Sequence, residues 1–274
     1  MGTRLIALDL DGTLLNEKMH VSEKTRQVME LCAQRGIEIV PATGRALPAV
    51  PEEVLSLPGV HYGIFTNGAV VRDFGKNIWV SESCLSWEET IRVIEVLRRH
   101  PVIYDMYVSE GGVSETRLLA QLEEYGVPER ECAYIRATRR AVTDMVEYLR
   151  EKKCPVQKMN LNFKDRECKQ AVRAKLEAMP EVLVTSSLPW NLELNAAGIT
   201  KGSGLRNLCQ YLGIEAEETM AFGDGENDWP MLEAAGIGVA MENGAPFLKE
   251  RADRIAASNR EDGVAEAIRR WVLI

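Results

Sequence analysis

Histidine and paired cysteine are scarce in this sequence. Three histidines occur in 274 residues, which are too few for a histidine-based zinc site. The six cysteines are spread along the chain and form no CxxC pair. Scattered cysteines in a chain without an evident export signal predict reduced thiols in a cytoplasmic protein. Any metal in this protein is therefore expected to be held by oxygen.

Long apolar runs and an excess of positive charge are also missing. No stretch of 18 apolar residues occurs, so no transmembrane helix is predicted. The opening residues MGTRLIALDLDGT enter a strand-like segment at once, which is not the form of a signal peptide. The 33 basic residues face 41 acidic ones, for a formal net charge of −8. Because nucleic-acid binders carry basic patches, neither a nucleic acid nor a membrane is an expected partner.

What the sequence does contain is a series of short apolar segments that lead into polar loops. Continuous apolar runs of this length are typical of strands buried on both faces of a parallel sheet. Four predicted strands of this kind are Arg4–Leu10, Ile37–Val40, Tyr62–Phe65 and Thr219–Phe222, and two more are expected at Ile237–Ala240 and Ile255–Ala257. Ligands of open α/β sheets bind outside the carboxyl ends of the strands. The polar loops are therefore expected to converge on one site.

The pattern changes between residues 83 and 189. Strands are predicted at Val102–Val108, Val156–Phe163 and Val182–Ser186, and helices from a capping box at Ser86 towards His100, then at Thr116–Tyr125, Thr143–Lys152 and Cys168–Met179. Polar and apolar residues alternate in 156–163, which indicates a sheet covered on one side only. We predict an α/β fold in which a Rossmann-like parallel-sheet core, residues 1–82 and 190–274, carries an inserted α+β domain, residues 83–189.

Four aspartates give the strongest chemical signal. Asp9 and Asp11 stand two residues apart at the end of an extended segment, so both carboxylates can face the same side. An ordinary strand followed by an Asp-Gly turn would explain this pair alone. Asp224 and Asp228 fall at the same predicted edge, and two charges ~4 Å apart at an effective dielectric of ~20 repel by about 4 kcal/mol. Either some of these groups stay protonated or a cation lies among them. Oxygen ligands beside a phosphate favour Mg²⁺.

Two further segments are suited to phosphate. Thr43 and Gly44 offer a hydroxyl and a backbone N–H after the second predicted strand, although Thr-Gly is also common in turns. Lys201 lies just before a predicted helix, Gly204–Leu212, where a helix start with a lysine can bind an anion. A solvated surface lysine is the ordinary alternative.

Taken in order, these residues resemble the haloacid dehalogenase-like hydrolases, and within them the Cof-type phosphatases with a large inserted α/β cap. The resemblance extends over essentially the whole chain through the motifs DLDGTLL, ATGR, TNGA, ITKG and GDGENDWPML. It implies an Mg²⁺-dependent phosphatase in which Asp9 is the nucleophile and forms an aspartyl-phosphate. Asp11 is implied to protonate the leaving oxygen and then to activate water. Asp224 is an implied metal ligand, together with Asp9 and the backbone carbonyl of Asp11, and Asp228 is implied to support the metal either directly or through water.

The phosphate ligands that the resemblance implies are distributed over four loops. They are the backbone N–H of Leu10, the loop residues Thr43 and Gly44, the ammonium group of Lys201, and Asn227. The substrate is expected to be a small phosphorylated metabolite. Sugar phosphates come first in this expectation, and flavin mononucleotide or pyridoxal phosphate come next.

Two other functions remain open at this point. Related capped enzymes include phosphosugar mutases, although those carry a longer insert before the Asn-Asp pair than GDGEND does. A non-catalytic sensor of phosphorylated metabolites would use the same scaffold without needing an acid/base carboxylate such as Asp11. In capped relatives the open face of the cap sheet looks towards the catalytic edge, so Lys158, Asn160 and Asn162 could meet the leaving group. Simple exposure to solvent is the alternative for these three side chains.

Overall fold

The computed structural model describes residues 2–187 and 189–273, which divide into two compact units. One unit comprises the described residues up to Glu82 together with those from Ile199 onward, and the other comprises Ser83–Gly198. The described strands are β1 Leu5–Leu8, β2 Glu38–Pro41, β3 Tyr62–Phe65, β4 Val70–Asp73, β5 Ile78–Glu82, β6 Val102–Val108, β7 Gly111–Glu115, β8 Arg139–Val142, β9 Lys158–Phe163, β10 Val182–Thr185, β11 Asn191–Ala196, β12 Thr219–Gly223, β13 Ile237–Met241 and β14 Arg254–Ala256. The described α-helices are α1 Glu23–Gln34, α2 Glu52–Leu55, α3 Trp87–Leu97, α4 Thr116–Leu119, α5 Glu129–Thr138, α6 Met145–Lys152, α7 Arg166–Glu177, α8 Lys201–Leu212, α9 Trp229–Ala234, α10 Pro246–Arg251 and α11 Gly263–Trp271.

The first unit is built on a parallel sheet of five strands in the order β14-β13-β12-β1-β2. Strand β1, which lies between β12 and β2, is fully buried. Ile6 and Leu8 pack into one apolar cluster together with Phe222 of β12, and Leu5 and Ala7 pack into a second cluster. A strand that supplies apolar side chains to both faces must be covered on both. The predicted α/β class with a parallel-sheet core is confirmed.

The segment Tyr62–Phe65 is a strand, as predicted, but its partners differ from the expectation. It pairs antiparallel with β4, which pairs antiparallel with β5, in a sheet of three strands. A parallel bridge between Ala42 and Ile64 links β3 to the end of β2. The strand therefore still directs its following loop, from Thr66, towards the loop that follows β2.

The second unit contains a mixed sheet of six strands in the order β10-β11-β9-β6-β7-β8. In β9 the side chains of Met159, Leu161 and Phe163 are buried in the apolar cluster of this unit, as the alternating pattern predicted. Lys158 was expected on the opposite, open face. Its ammonium group is instead buried and lies 2.8 Å from the carboxylate of Glu193 in β11. The polar side of this sheet thus contains paired charges rather than solvated ones.

The predicted boundary at residue 189 is too early. Residues 191–196 form β11, which pairs antiparallel with both β9 and β10, so the second unit continues to Gly198. Leu192 and Leu194 enter its apolar cluster, whereas Glu193 lies on the other face. The alternation in NLELNA is the same one-sided pattern as in β9.

Several helix bounds also differ from the sequence prediction. The capping box at Ser86 is present and begins α3. The single helix predicted over 116–125 is α4 followed by a short 3-10 turn. The helix predicted from Gly204 begins three residues earlier, at Lys201, because Thr200 and Ser203 form its capping box. In the described residues, no helix combines the length and the apolar character needed to span a membrane.

Candidate active site

Asp9 follows β1 directly and is held by backbone hydrogen bonds on both sides. Its N–H donates to the carbonyl of Phe222 in β12 (3.1 Å), and its carbonyl accepts from the N–H of Leu14 (3.1 Å). The residue is 6% exposed. Since β1 and β12 are parallel neighbours, Asp9 and the loop after β12 leave the sheet at the same edge. The fold itself thereby brings the first predicted carboxylate to the second aspartate-containing loop.

In the loop after β12, the side chain of Asp228 is held by the backbone N–H groups of residues that precede it. Its Oδ2 accepts from the N–H of Asp224 (2.9 Å) and from the N–H of Gly225 (2.8 Å). Asp224 in turn accepts a 3.4 Å hydrogen bond from the hydroxyl of Thr13. Gly12 has φ +83°, and a Cβ there would lie 2.4 Å from Oδ2 of Asp224. Only glycine lets the loop after β1 approach this carboxylate so closely.

Lys201 is the first residue of α8 and is fully buried. Its Nζ lies 2.5 Å from Oδ1 of Asp9 and 2.6 Å from Oδ1 of Asp228. The alternative of a solvated surface lysine is therefore wrong for this residue. An ammonium group between two buried carboxylates neutralises part of their charge and fixes the distance between the two loops.

Asp9, Asp224 and Asp228 form a compact group of carboxylates. One oxygen of each lies within 4.8 Å of the others. The side chain of Asp11 is directed elsewhere: Nε of Arg45 donates to its Oδ2 (2.8 Å) and Nη2 to its Oδ1 (2.6 Å). The four aspartates predicted at this edge thus separate into a buried group of three and one carboxylate paired with arginine.

Thr43 and Asn227 are connected through a residue that was not among the predicted site residues. The hydroxyl of Thr43 accepts from the N–H of Arg45 (3.1 Å), which leaves its own proton for another acceptor. Its carbonyl accepts from the N–H of Asn67 (3.1 Å). The side-chain oxygen of Asn67 accepts from Nδ2 of Asn227 (3.1 Å). Asn67 therefore links the loops after β3 and β12.

The turn that contains Asn67 is unusual. Thr66 and Asn67 both have positive φ, +48° and +58°, and Gly68 follows with φ +95°. A Cβ on Gly68 would lie 2.0 Å from the carbonyl oxygen of Thr200, next to the start of α8. This close approach holds Asn67 beside the start of α8, where Lys201 lies.

The remaining predicted phosphate ligands, Leu10 and Gly44, are expected to bind through their backbone N–H groups. Leu10 is fully buried, and its carbonyl accepts from the N–H of Leu15 (2.9 Å). Gly44 is half-buried between Thr43 and Arg45. The phosphate contacts of Leu10 and Gly44 stay predictions.

Arg45 and Asn67 are the functional candidates that sequence reasoning missed. Each stands inside a motif that was used for the resemblance, ATGR and TNGA, so a signal was present. Only Thr43 and Gly44 of ATGR were predicted to bind phosphate, and contacts between the side chains of different loops cannot be inferred from the sequence of one loop. Asn243 was also missed; its Nδ2 donates to the carbonyl of Gly12 (2.8 Å).

Comparison with known proteins places this arrangement in a family. A family model described as haloacid dehalogenase-like hydrolase matches residues 6–268. The chain belongs to this family. The hydrolase is 32% identical over 270 residues to a 5-amino-6-(5-phospho-D-ribitylamino)uracil phosphatase of Bacillus subtilis (strain 168), a match that covers 98% of this chain and 96% of the relative. It is 28% identical to a pyridoxal phosphate phosphatase of Escherichia coli (strain K12), with 98% of both chains covered.

Solved structures agree with this assignment. A haloacid dehalogenase-like hydrolase from B. subtilis superposes with a TM-score of 0.85 at 27% identity, covering 97% of this chain and 99% of the other. The HAD subclass IIB sugar phosphatase BT4131 gives 0.83 at 25% identity, with 99% and 100% covered. The predicted family is confirmed, and the hydrolase is a phosphatase acting on phosphoric monoesters.

The electrostatics of the carboxylate group follow from burial and like charge. Burial, and after it the carboxylate of Asp228, raise the pKa of Asp9 well above its ordinary value, although Lys201 acts in the opposite direction. The same two causes raise the pKa of Asp224 to about 7. Burial alone would lower the pKa of Lys201, but Asp228 and Asp9 outweigh it, so its pKa stands above the ordinary value. One ammonium group is not enough for three carboxylates.

A hard cation fits this donor set. Three carboxylates within reach of one ion, with no histidine or cysteine in the group, match the oxygen ligands that Mg²⁺ takes in proteins. The raised carboxyl pKa values show that the site is short of positive charge as it stands. A divalent cation would correct that shortage and keep all three groups ionised.

Proposed function

We propose that this phosphatase is Mg²⁺-dependent and transfers phosphate through an aspartyl-phosphate on Asp9. The observation that carries the proposal is the position of the Lys201 ammonium group, 2.5 Å from Asp9 and 2.6 Å from Asp228. This ammonium group favours the ionised form of Asp9, because it opposes the effect of burial and of Asp228 on the pKa of Asp9. A nucleophilic carboxylate must be ionised. The same ammonium group holds Asp228, and with it the loop after β12, where a metal ligand is needed.

The chain's own residues have distinct tasks in the two steps. In the first, an oxygen of Asp9 forms a bond to phosphorus while the ester bond breaks, and Asp11 gives its proton to the leaving oxygen. In the second, Asp11 takes a proton from water as the water oxygen bonds to phosphorus and Asp9 is released. Lys201 offsets negative charge throughout. Splitting hydrolysis in this way replaces one difficult step by two easier ones.

Asp9, Asp224 and Asp228 would hold the magnesium ion, with the backbone carbonyl of Asp11 as a further ligand. When bound, Mg²⁺ supplies positive charge that offsets the phosphate dianion and the three carboxylates. Leu10, Thr43, Gly44 and Asn227 are proposed to bind the phosphate oxygens, and Asn67 to position Asn227 (3.1 Å).

The proposed substrate is a small phosphate ester of a primary alcohol. Three substrate types support this choice: the phosphoribityl compound and pyridoxal phosphate named for two relatives, and the sugar phosphates named for BT4131. The first two carry phosphate on a CH₂–O group, and the ribityl compound shares its polyhydroxylated chain with sugars. Sugar and sugar-alcohol phosphates are therefore the first candidates, before pyridoxal phosphate, and flavin mononucleotide shares the ribityl phosphate. We also propose a cytoplasmic location, in keeping with the scattered cysteines.

The nucleophile can be identified chemically. The enzyme is mixed with p-nitrophenyl phosphate and Mg²⁺, quenched in acid within a turnover, reduced with borohydride and analysed by peptide mass spectrometry. Reduction of an aspartyl-phosphate at position 9 converts that residue to homoserine, whereas Asp9→Asn gives an unmodified peptide. Homoserine at another position, or none during rapid turnover, would contradict the mechanism.

The two alternatives make different predictions. A phosphosugar mutase would require a sugar bisphosphate for activity and would release little inorganic phosphate. A sensor would bind phosphorylated metabolites without turnover, which the phosphatase relatives do not favour. Release of phosphate from sugar phosphates, ribityl phosphates and pyridoxal phosphate, measured with and without Mg²⁺, decides among these functions.

A further inference from the structure

Arg45 is anchored independently of the carboxylate that it binds. Its third guanidinium donor, Nη1, gives a 3.0 Å hydrogen bond to the carbonyl of Ala49. Its backbone N–H donates to the hydroxyl of Thr43 (3.1 Å), and its backbone carbonyl accepts from the N–H of Thr66 (2.9 Å). Arg45 is therefore fixed by its own loop and by the loop after β3. It can act as a rigid support for another side chain.

Asp11 is the group that this support holds. Both oxygens of its carboxylate accept from Arg45, at 2.8 Å from Nε and 2.6 Å from Nη2. Its side chain is 50% exposed, in contrast to Asp9, which is buried beside Lys201. A half-exposed carboxylate on a turn has several rotamers open to it. The parallel pair of hydrogen bonds selects one of them, since a guanidinium fork matches a carboxylate only in a defined plane.

The proposed reaction makes the orientation of Asp11 critical. Asp11 must place one oxygen within hydrogen-bond reach of the leaving oxygen in the first step and of water in the second. A misplacement of about 1 Å in such a group can cost on the order of 100-fold in rate. Arg45 offers two separate donors, so one can hold Asp11 while the other releases the oxygen that exchanges the proton.

We propose that Arg45 is the positioning residue of the Asp11 acid/base group, holding one carboxylate oxygen while the other gives or takes the proton. The inference rests on the proposed function, because it presupposes that Asp11 transfers these protons. Phosphate binding by Arg45 is the competing role. It is disfavoured because the pair with Asp11 already neutralises the guanidinium charge. As the pair is partly exposed, its loss should have little effect on stability.

A double-mutant cycle with two closely matched substrates tests this role. Phenyl phosphate has a basic leaving group that needs a proton, whereas p-nitrophenolate leaves readily from p-nitrophenyl phosphate without one, and the two esters differ by one substituent. The values of kcat/KM are measured for wild type, Arg45→Ala, Arg45→Lys, Asp11→Asn and Arg45→Ala/Asp11→Asn. This ratio reports the steps up to phosphate transfer, so a slow second step does not mask the effect. Arg4→Ala is the control, since Arg4 forms an exposed ion pair with Glu218 (3.1 Å) in the same unit.

Arg45→Ala should lower kcat/KM for phenyl phosphate roughly 10-fold or more and for p-nitrophenyl phosphate less than about 3-fold. The kcat/KM of Arg45→Lys for phenyl phosphate should lie between the values of wild type and Arg45→Ala, since lysine cannot donate the two parallel hydrogen bonds of a guanidinium group. In the Asp11→Asn background the loss of Arg45 should change the phenyl phosphate value by less than about 2-fold. Arg4→Ala should match wild type.

Equal losses on both substrates, or a loss that persists in the Asp11→Asn background, would assign Arg45 to phosphate binding or to structure and overturn the inference. Full activity of Arg45→Ala on phenyl phosphate would overturn it too. These results are separable from failure of the proposed function. If Asp11→Asn itself keeps the wild-type kcat/KM for phenyl phosphate, the acid/base role of Asp11 is wrong, whatever Arg45 does.

Discussion

Removal of the metal should make the stability of this enzyme depend on pH through Asp224. Burial and the carboxylate of Asp228 raise the pKa of Asp224 to about 7 in the folded protein, from an ordinary value of 3.8. A raised carboxyl pKa means that the folded state binds the proton more tightly than the unfolded state does. The stability of the metal-free enzyme must then fall as the pH rises between these two values, since the unfolded state ionises first.

The size of the effect follows from the shift. A difference of about 3 pKa units at about 1.4 kcal/mol per unit amounts to roughly 4 kcal/mol over the whole range. Roughly 2 kcal/mol of it falls between about pH 5 and pH 7. For a chain of this size that corresponds to a Tm change of roughly 5 °C. Saturating Mg²⁺ should reverse the loss, because the ion binds the ionised carboxylates.

The assay compares wild type with Asp224→Asn by differential scanning fluorimetry after exhaustive chelation. Asparagine represents a neutral side chain at every pH, so subtracting the variant removes the titration of all distant groups. The Tm of Asp224→Asn minus the Tm of metal-free wild type should increase by roughly 5 °C between about pH 5 and pH 7. Asp262→Asn, at the N-cap of α11 and outside the group of three carboxylates, is the matched control and should show no such trend. A Tm difference between wild type and Asp224→Asn that stays flat over this range would refute the reasoning.

Three further results are expected. Lys201→Met should lower kcat/KM by about 10²- to 10³-fold and lower the metal-free Tm, with exposed Lys249→Met as control; near-normal turnover would exclude a role for this ammonium group. Ca²⁺ should support much less activity than Mg²⁺, because its longer and looser coordination misplaces nucleophile and phosphorus, and equal rates with both ions in a steady-state assay would contradict this. Single cysteine-to-serine substitutions should leave kcat/KM unchanged, since no cysteine lies in the loops of the site, and a loss of kcat/KM without a change in Tm would disprove this prediction. The substitutions are made at Cys32, Cys84, Cys132, Cys154, Cys168 and Cys209.

The buried part of the site could be predicted because its residues stand at the ends of strands. Asp9 and the Asp224–Asp228 loop follow neighbouring parallel strands, so the register of β1 with β12 brings them together without further information. The apolar runs in those strands and the aspartates after them are both visible in the sequence. Lys201 was harder to judge, since its burial depends on α8 beginning at Lys201 rather than at Gly204.

The contacts between loops could not be predicted in the same way. The pairing of Asn67 with Asn227 depends on two successive residues with positive φ, Thr66 and Asn67, and neither is a glycine. The pairing of Arg45 with Asp11 joins two loops whose separation is set by β1 and β2 together. Such contacts are decided by side-chain rotamers, which periodicity does not encode.

The contrast between Asp9 and Asp11 explains how two identical side chains in one short motif can have different tasks. Asp9 follows a buried strand and is itself buried beside Lys201, Asp224 and Asp228. Asp11 lies two residues further on, half exposed, on the turn that Gly12 makes possible, and it is bound by an arginine that can release one oxygen at a time. A nucleophile must be held in place and shielded from solvent, whereas a general acid/base must reach both the leaving group and water. In the proposed mechanism the turn between them separates covalent chemistry from proton transfer, and exchanging the environments of the two residues should disable both.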